Sequence, residues 1–367
     1  MSMEQQVRQK QIVLVTGSSG CLGQHIVKQL HENDNSVNEI RCYDIRPYQN
    51  NLQHKIVKEM QITTADIGNE RQLINAMKGV DVVIHCAALI DVGQYPNESE
   101  MQTVNVDGTQ KVIDAAIECN VPYVVHISGT DVTIGYDPIY YGSENTTFIP
   151  KKHLLGAYSR TKYESEQIVA DSNGRSLSNV ENGNHSTDLM YGEEDAHFIT
   201  SVLAIAKHHS GVLRRIDNVF TRIQPVYAGN VAVATIQAKE KLQIDDSVGG
   251  ERFFITDDTK ILDQYEFLEP YLQCRGYRLS NRSYPIWLFL FFLWFYTLLI
   301  NAIWSVFPIR MAPNLTAANV RLLCTTHFFN RTKATLRLEY EPMYDHDEAH
   351  TRSIEYYKKV SLPGSSK

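Results

Sequence analysis

A short β-branched run, Ile12-Val-Leu-Val15, leads into Thr16-Gly17-Ser18-Ser19-Gly20-Cys21-Leu22-Gly23, and an amphipathic stretch follows from Gln24 to His31. Strand, glycine turn and helix in that order leave few folds open. Gly17 permits a tight turn, Gly20 lets the backbone approach a pyrophosphate, and Gly23 lets the helix pack closely on the strand, so that helix N–H groups face the phosphates. Ser19, Cys21 and Leu22 complete this expected cofactor loop. A second strand, Glu39-Ile-Arg-Cys-Tyr43, ends in Asp44, 21 residues beyond Gly23. A carboxylate there accepts both ribose hydroxyls and repels a 2′-phosphate, which favours NAD over NADP. Arg41 and Arg46 argue the other way, since a guanidinium nearby holds such a phosphate, and Asp44 also reads as a turn or cap residue.

Further strands keep the pattern. Gln61-Ile-Thr-Thr-Ala-Asp66-Ile67, Val80-Asp-Val-Val-Ile-His-Cys-Ala87-Ala88 and Val121-Pro-Tyr-Val-Val-His-Ile-Ser128 are separated by helical stretches. The alternation predicts an α/β fold with a doubly wound parallel sheet. On it, Asp66 and Ile67 fall at the adenine edge, and the small Ala87 and Ala88 let the cofactor lie on the strand ends. Tyr158-Ser-Arg-Thr-Lys162 then places a phenol and an ammonium at i and i+4 of a predicted helix, on one face. A lysine there stabilises a tyrosinate, which lets the tyrosine exchange a proton with an alcohol while hydride moves to a nicotinamide. A solvated i,i+4 pair is the plain alternative; the glycine-rich turn about 140 residues earlier makes the pair specific.

Lys and Arg total 35 against 42 Asp and Glu, a net charge of −7, and the basic residues form no run. Phosphate affinity needs concentrated cations, so a nucleic-acid partner is not expected. Cys21, Cys42, Cys86, Cys119, Cys274 and Cys324 stand apart, with no CxxC or Cys/His pair at ligand spacing, and predict neither a metal site nor a disulfide framework. The first apolar run is too short for a signal peptide. One segment departs from the average: Ile286 to Phe307, IWLFLFFLWFYTLLINAIWSVF, is 22 residues without a charge inside an uncharged stretch from Ser283 to Ile309. Phe, Leu and Trp all round, with no polar stripe, predict a membrane segment, since about 20 helical residues cover roughly 30 Å of hydrocarbon. A buried core helix is the alternative.

Val13-Leu-Val-Thr-Gly17, Gly20-Cys-Leu-Gly-Gln24, Val83-Ile-His-Cys-Ala-Ala-Leu-Ile-Asp-Val92, Val104-Asn-Val-Asp-Gly-Thr-Gln110, Tyr158 to Lys162, Pro225-Val-Tyr-Ala-Gly-Asn-Val-Ala232 and Ile255-Thr-Asp-Asp-Thr259 together resemble an extended short-chain dehydrogenase/reductase of Rossmann type. The likeness is greatest to the 3β-hydroxysteroid dehydrogenase/Δ5-4 isomerase family and runs from about Ile12 to Val360. It implies NAD-dependent oxidation of the 3β-hydroxyl of a Δ5 steroid or sterol in steroid biosynthesis, with a double-bond shift to the Δ4-3-ketone. Carried onto this chain, Tyr158 is the acid/base, Lys162 tunes it and holds the nicotinamide ribose, and Asn105 supports the lysine. Asp257 and Asp258 match a carboxylate pair implicated in the isomerase step, although adjacent aspartates before a threonine also make a turn.

The resemblance further implies a polar N-terminus over 1–11, a Rossmann domain over 12–192, a small substrate lobe with interleaved elements over 193–282, a membrane-associated segment over 283–309 and a tail over 310–367 that packs back on the catalytic domain. A complete span would put that tail across the bilayer from its docking site, so insertion into one leaflet is expected. The implied location is the endoplasmic reticulum membrane with the catalytic domain facing the cytosol, the mitochondrial membrane being the alternative. Implied partners are a steroid or sterol substrate and membrane lipid, with a homodimer left open.

Two stretches break the family pattern. Anchored on Val132, the position that should carry a hydroxyl donor is Gly129 in Ser128-Gly-Thr-Asp-Val132, which leaves Ser128, or else Thr130, to substitute. Neighbouring strand residues point to opposite faces, and Ser128 is the expected choice. Asp171 to Asp188, DSNGRSLSNVENGNHSTD, is polar where a buried strand belongs, so the sheet is expected to lack a member there. From these departures follow two rival readings, a catalytically impaired sterol- and NAD-binding pseudoenzyme and, as a different enzyme, a sterol-4-carboxylate 3-dehydrogenase.

Overall fold

Val13 and Val15 point to one face of the first strand and Leu14 to the other, and all three are fully buried, as a strand covered on both sides requires. The structure, a computed structural model, describes residues 10–172, 177–182, 189–217, 221–304 and 316–363. Nearly all of the expected polar N-terminus therefore lies outside the described residues.

The first half of the chain alternates strands and helices: β1 (Gln11–Thr16), α1 (Cys21–Glu32), β2 (Val37–Asp44), β3 (Glu59–Thr64), α2 (Glu70–Met77) and β4 (Val82–His85). A short α3 (Glu98–Met101) runs through a π-helical turn (Gln102–Asp107) into α4 (Gly108–Glu118) and β5 (Tyr123–Gly129). Then come β6 (Ile139–Gly142), α5 (Ala157–Asp171) and β7 (Leu177–Asn182). With β12 (Arg252–Ile255) these build a seven-stranded sheet in the order β3-β2-β1-β4-β5-β7-β12, parallel throughout. Helices cover both faces, α1 and α7 (Ala228–Leu242) on one and α2, α4 and α5 on the other.

β7 corrects the expectation that residues 171–188 hold no strand. Leu177–Asn182 pairs with β5 on one side, Val124 to Leu177 through Gly129 to Asn182, and with β12 on the other. Parallel pairing uses backbone groups alone, and strands flanking a gap leave rows of N–H and C=O that a chain of ordinary polarity satisfies; strand preference depends strongly on such context.

The remaining elements form the lobe and the closing segments. β8 (Met190–Tyr191) pairs with β11 (Val226–Tyr227), β10 (Arg222–Ile223) with β13 (Leu262–Asp263), and β9 (Val212–Asp217), which follows α6 (Ile199–His208), with β14 (Arg278–Pro285). α8 (Gln264–Gln273) packs on β14, which runs directly into α9 (Ile286–Trp304). α10 (Ala317–Leu323), β15 (His327–Phe329), α11 (Thr332–Leu338) and α12 (His346–Tyr357) then return to the catalytic body. β15 pairs with β6, and Tyr357 at the end of α12 is fully buried, its hydroxyl accepting from Gly192 N and donating to Asp195. α9 carries the start of the apolar run. Among the described residues no helix is long and apolar enough to cross a membrane.

A buried ion pair joins α7 to the turn after α1. Lys239 and Asp34 are both fully buried, and the ammonium also donates to Ser36 Oγ at 3.0 Å. Lys58 donates to the carbonyls of Leu30 and Asp34, closing the C-terminal end of α1. Removing one charge strands the other without water. Lys239→Met should therefore cost about 3–5 kcal/mol, read as a fall in the urea unfolding midpoint. The double change Lys239→Met/Asp34→Leu should recover most of that loss.

Candidate active site

The carboxyl ends of β1, β2, β4 and β5 open into a cavity of about 370 Å³. The glycine loop forms its floor. Gly17 has φ +70°, and a Cβ on it would come within 2.7 Å of Ala87 N; a Cβ on Gly23 would overlap the Gly17 carbonyl. These positions require glycine because α1 begins directly against the turn. No side chain caps the N-terminus of α1, so its first N–H groups are available to an anion. Asp44 holds the loop: its carboxylate accepts from Ser19 N and from Arg46 N, each at 2.9 Å. Arg41 lies elsewhere, donating to Glu39 and to the carbonyls of Ala76 and Lys78. Arg46 is exposed and donates to Ser19 O at 3.0 Å. The donor set, one fixed carboxylate with lone pairs to spare and a glycine cradle, fits a dinucleotide carrying two free ribose hydroxyls.

Gly17, Gly20, Cys21, Leu22, Gly23, Asp44, Asp66, Ile67, Ala87 and Ala88 all line this cavity, together with Ser128, Tyr158 and Lys162. Ser19 stands behind the loop and acts through its backbone and its hydroxyl bond to Arg46 O. Tyr158 and Lys162 come from the first two turns of α5, both buried, with Lys162 Nζ donating to Ile127 O at 2.8 Å. Ile127 precedes Ser128 within β5, so this bond ties the helix bearing the phenol to the strand bearing Ser128.

Asn105 is buried and supports the site from behind. It sits in the π-helical turn, accepts from Leu89 N at 2.7 Å, and donates to Leu89 O at 3.0 Å and to Thr161 Oγ1 at 3.1 Å. One amide thus satisfies the chain after β4 and fixes α5 beside Lys162. A further chain of bonds reaches it. Thr109 Oγ1 donates to Asn105 O at 2.6 Å, so it accepts from His85 Nε2 at 3.0 Å, and His85 Nδ1 accepts from Thr16 Oγ1 at 2.7 Å. His85 is therefore held neutral with its proton on Nε2. Burial, then the Lys162 charge, brings its pKa down to about 3, and His126 beside it is lowered by the same causes.

Of the two hydroxyls near Gly129, Ser128 faces the cavity, while Thr130 is buried in the following turn and does not line it. Ser128 Oγ donates to Glu166, a buried carboxylate with Arg252 3.8 Å away. Glu166 was legible in the sequence as the next member of the Tyr158, Lys162 helical face. Asp257 and Asp258 do not line the cavity. Asp257 is buried, where it accepts from Tyr227 N at 2.9 Å, Asn230 Nδ2 at 3.0 Å and Thr259 N at 3.0 Å; Asp258 is exposed and pairs with Arg331. They are the turn and the tether that adjacent aspartates also predict, and not part of the cavity. Asp195 and His197, on the loop after β8, line it without having been anticipated. Cys21 and Cys86 line it too, but burial pushes both thiols up, Cys86 to about 12, so neither is a thiolate near neutral pH.

Residues 14–286 match the 3-beta hydroxysteroid dehydrogenase/isomerase family. The chain is 29% identical to 3 beta-hydroxysteroid dehydrogenase type 7 of Mus musculus, covering 97% of each chain. It is 28% identical to the sterol-4-alpha-carboxylate 3-dehydrogenase, decarboxylating, of the same species, covering 94% of this chain and 90% of the relative. In three dimensions it resembles an epimerase of Methanothermobacter thermautotrophicus with a TM-score of 0.70 at 15% identity, covering 95% and 93% of the two chains. A dTDP-glucose 4,6-dehydratase of Streptomyces venezuelae, solved with NAD, gives 0.68 at 17%, covering 95% and 97%.

The neutral histidines carry a pH signature. Their pKa values lie below the ordinary 6.5, so the unfolded chain binds more protons and stability is lost as pH falls below about 6.5. Each group contributes a slope of up to about 1.4 kcal/mol per pH unit in that window. The thermal midpoint should fall between pH 7 and pH 5, and His85→Gln should flatten the fall; an unchanged slope would show that His85 titrates normally.

Proposed function

The chain belongs to the 3-beta hydroxysteroid dehydrogenase/isomerase family, and from that premise we propose that it oxidises the 3β-hydroxyl of a steroid or sterol with NAD. The observation that carries this reading is the meeting of Tyr158, Lys162 and Ser128 with the glycine loop and Asp44 in one cavity. NAD, when bound, supplies the hydride acceptor. Gly17, Gly20 and Gly23 would hold its pyrophosphate against α1, and Asp44 its adenosine ribose.

Acting as the phenolate, Tyr158 takes the proton of the 3β-hydroxyl and becomes the phenol as the C3 hydride leaves. Lys162, anchored on Ile127 O one helical turn away, keeps a positive charge beside the resulting phenol and phenolate forms. Ser128 Oγ lines the cavity but donates its hydrogen bond to Glu166, so the hydroxyl donor expected toward the substrate oxygen is already engaged, and the proton step rests on Tyr158 and Lys162. The walls near Tyr158 are apolar, with Leu89, Ile90 and Met190 among them. Among the described residues lining the cavity the side-chain cations are Arg46 and Lys162, which serve the cofactor end. That distribution favours an uncharged sterol over a 4-carboxylate, which needs a cation of its own. For a Δ5 substrate the new ketone acidifies the C4 protons, and a shift to the Δ4-3-ketone follows in this reading without Asp257 or Asp258. The filled β7 position and the assembled Tyr158/Lys162 pair support turnover over the pseudoenzyme reading.

The same reading places α9 in the acyl region of one leaflet. Trp287 is 67% exposed, Trp294 59% and Phe292 58%. A helix that leaves such side chains in water needs a cover. β14 before α9 and α10 after it both pack on the same body, so α9 enters and leaves from one side. Tyr95, in the loop beyond β4 that begins with cavity residues Leu89 and Ile90, donates to Asn301 of α9 at 2.7 Å, which puts the apolar helix beside the mouth. The six cysteines are free, as befits a reducing cytosolic face, and the endoplasmic reticulum membrane is the proposed site.

Purified protein with NAD and a Δ5-3β-hydroxysteroid should form NADH and a conjugated enone absorbance. NADH without the enone would leave a dehydrogenase only, and neither signal would sink the reading. Tyr158→Phe should lower NADH formation by at least 10²-fold. Asp44→Asn should cut the NAD over NADP preference about tenfold or more, measured as the ratio of kcat/KM values, because the charge that repels a 2′-phosphate is gone.

A further inference from the structure

The β9–β14 ribbon delivers the chain into α9, and its charge is one-sided. Arg214 and Arg215 stand on β9 and Arg278 and Arg282 on β14, against the single acid Asp217. Arg282 lies four residues before the first residue of α9, and Arg215 pairs in register with Ser283. Arg214, Arg278 and Arg282 are exposed, as is Lys207 near the end of the preceding α6. None of these four makes an ion pair among the described residues. The closing helices differ: Arg337 and Arg352 on α11 and α12 each pair with a carboxylate. Glu266 and Glu269 of α8 flank the ribbon, where they border a cleft shared with Arg215 and Arg222, and Arg215 lies over the Tyr265 ring.

Unpaired guanidiniums next to an exposed apolar helix, on a chain of net charge −7, are charge held for an external anion. We propose that the ribbon is a headgroup-binding collar: Arg214, Arg278 and Arg282 take the anionic phospholipids of the surface that α9 enters. This inference rests on the insertion of α9 proposed above. The strand geometry suits it, since four residues of β14 cover roughly 13 Å, about the depth over which long arginine side chains reach from the surface to the acyl boundary. Local attraction of this kind outweighs an unfavourable net charge because screening confines each charge to about 8–10 Å.

The test is co-sedimentation of the full-length protein with vesicles of phosphatidylcholine, or of phosphatidylcholine with 30% phosphatidylserine as an order-of-magnitude cytoplasmic composition. Binding to the anionic vesicles should be the stronger and should weaken as salt rises. Each arginine near such a surface contributes about a fivefold gain, so R214Q/R278Q/R282Q should lose on the order of a hundredfold in partitioning onto the anionic vesicles while keeping its thermal midpoint. Equal binding of wild type to both vesicles, unaffected by the triple change, would overturn the collar and leave the insertion of α9 standing. Loss of binding to both vesicles in F291S/W294S, with the salt dependence of the wild type intact, supports insertion independently. Absence of binding to either vesicle, with the lipid-free protein sedimenting as a dimer, would overturn collar and insertion together in favour of a second copy covering α9.

Discussion

Every N–H and C=O in the middle of the parallel sheet must find its partner in a neighbouring strand, and this requirement organises the molecule. It aligns the carboxyl ends of β1, β2, β4 and β5 on one edge, where the chain leaves each strand and the backbone is free to turn. The glycine loop, Asp44, Ala87 with Ala88, and Ser128 are the residues at those four exits. Helix α5, packed on β5 and β7, adds Tyr158 and Lys162 to the same edge. The cavity is thus a product of strand alignment, and its chemistry depends on which side chain happens to end each strand.

Alignment alone does not fix side chains to the accuracy that proton transfer needs. That task falls to buried polar groups that are satisfied from several elements at once. Asn105 binds both backbone groups of Leu89 and the Thr161 hydroxyl, and His85 connects Thr16 of the first strand with Thr109 of α4. Each bond is modest, about 1 kcal/mol net, but leaving any of these atoms unpaired in the interior costs more. The network therefore tolerates one arrangement and transmits it to Lys162 through Thr161 and Ile127. The π-helical turn around Asn105 is the local cost of aiming that amide inward.

How much of this was legible in the sequence follows from the range of the interactions. The glycine loop, Asp44 and the Tyr158/Lys162 pair are set by spacings of a few residues along one strand or helix, and the structure brings them together in the cavity. β7 was not legible, because its place is decided by the open ladders of β5 and β12, which the polar sequence of residues 177–182 does not reveal. Asp257 was open to two readings for the same reason: its partners Tyr227 and Asn230 lie about 30 residues away, and no local pattern says whether a carboxylate will be buried under them or exposed to a ligand. Ser128 was separable from Thr130 by strand alternation, but its bond to Glu166 was not anticipated. The helical period that placed Lys162 one turn after Tyr158 places Glu166 one turn further.

The placement of α9 follows from the parts around it. An apolar helix buried in the body would have Trp287 and Trp294 packed, yet both are mostly exposed. A helix crossing a bilayer would separate its two ends, yet β14 and α10 belong to one body, and the last helix docks through Tyr357 onto the loop that carries Asp195 at the cavity. The proposed entry into a single leaflet is consistent with both facts. In that reading Tyr95 beside the cavity mouth meets Asn301 in the last quarter of an otherwise apolar helix because an amide in hydrocarbon is costly unless paired, and pairing it with the body would set the depth at which α9 sits. In the proposed insertion, the residue that limits its depth is the one that joins the helix to the cavity mouth, so the loop leading to Leu89 and Ile90 would be where a substrate from the leaflet enters.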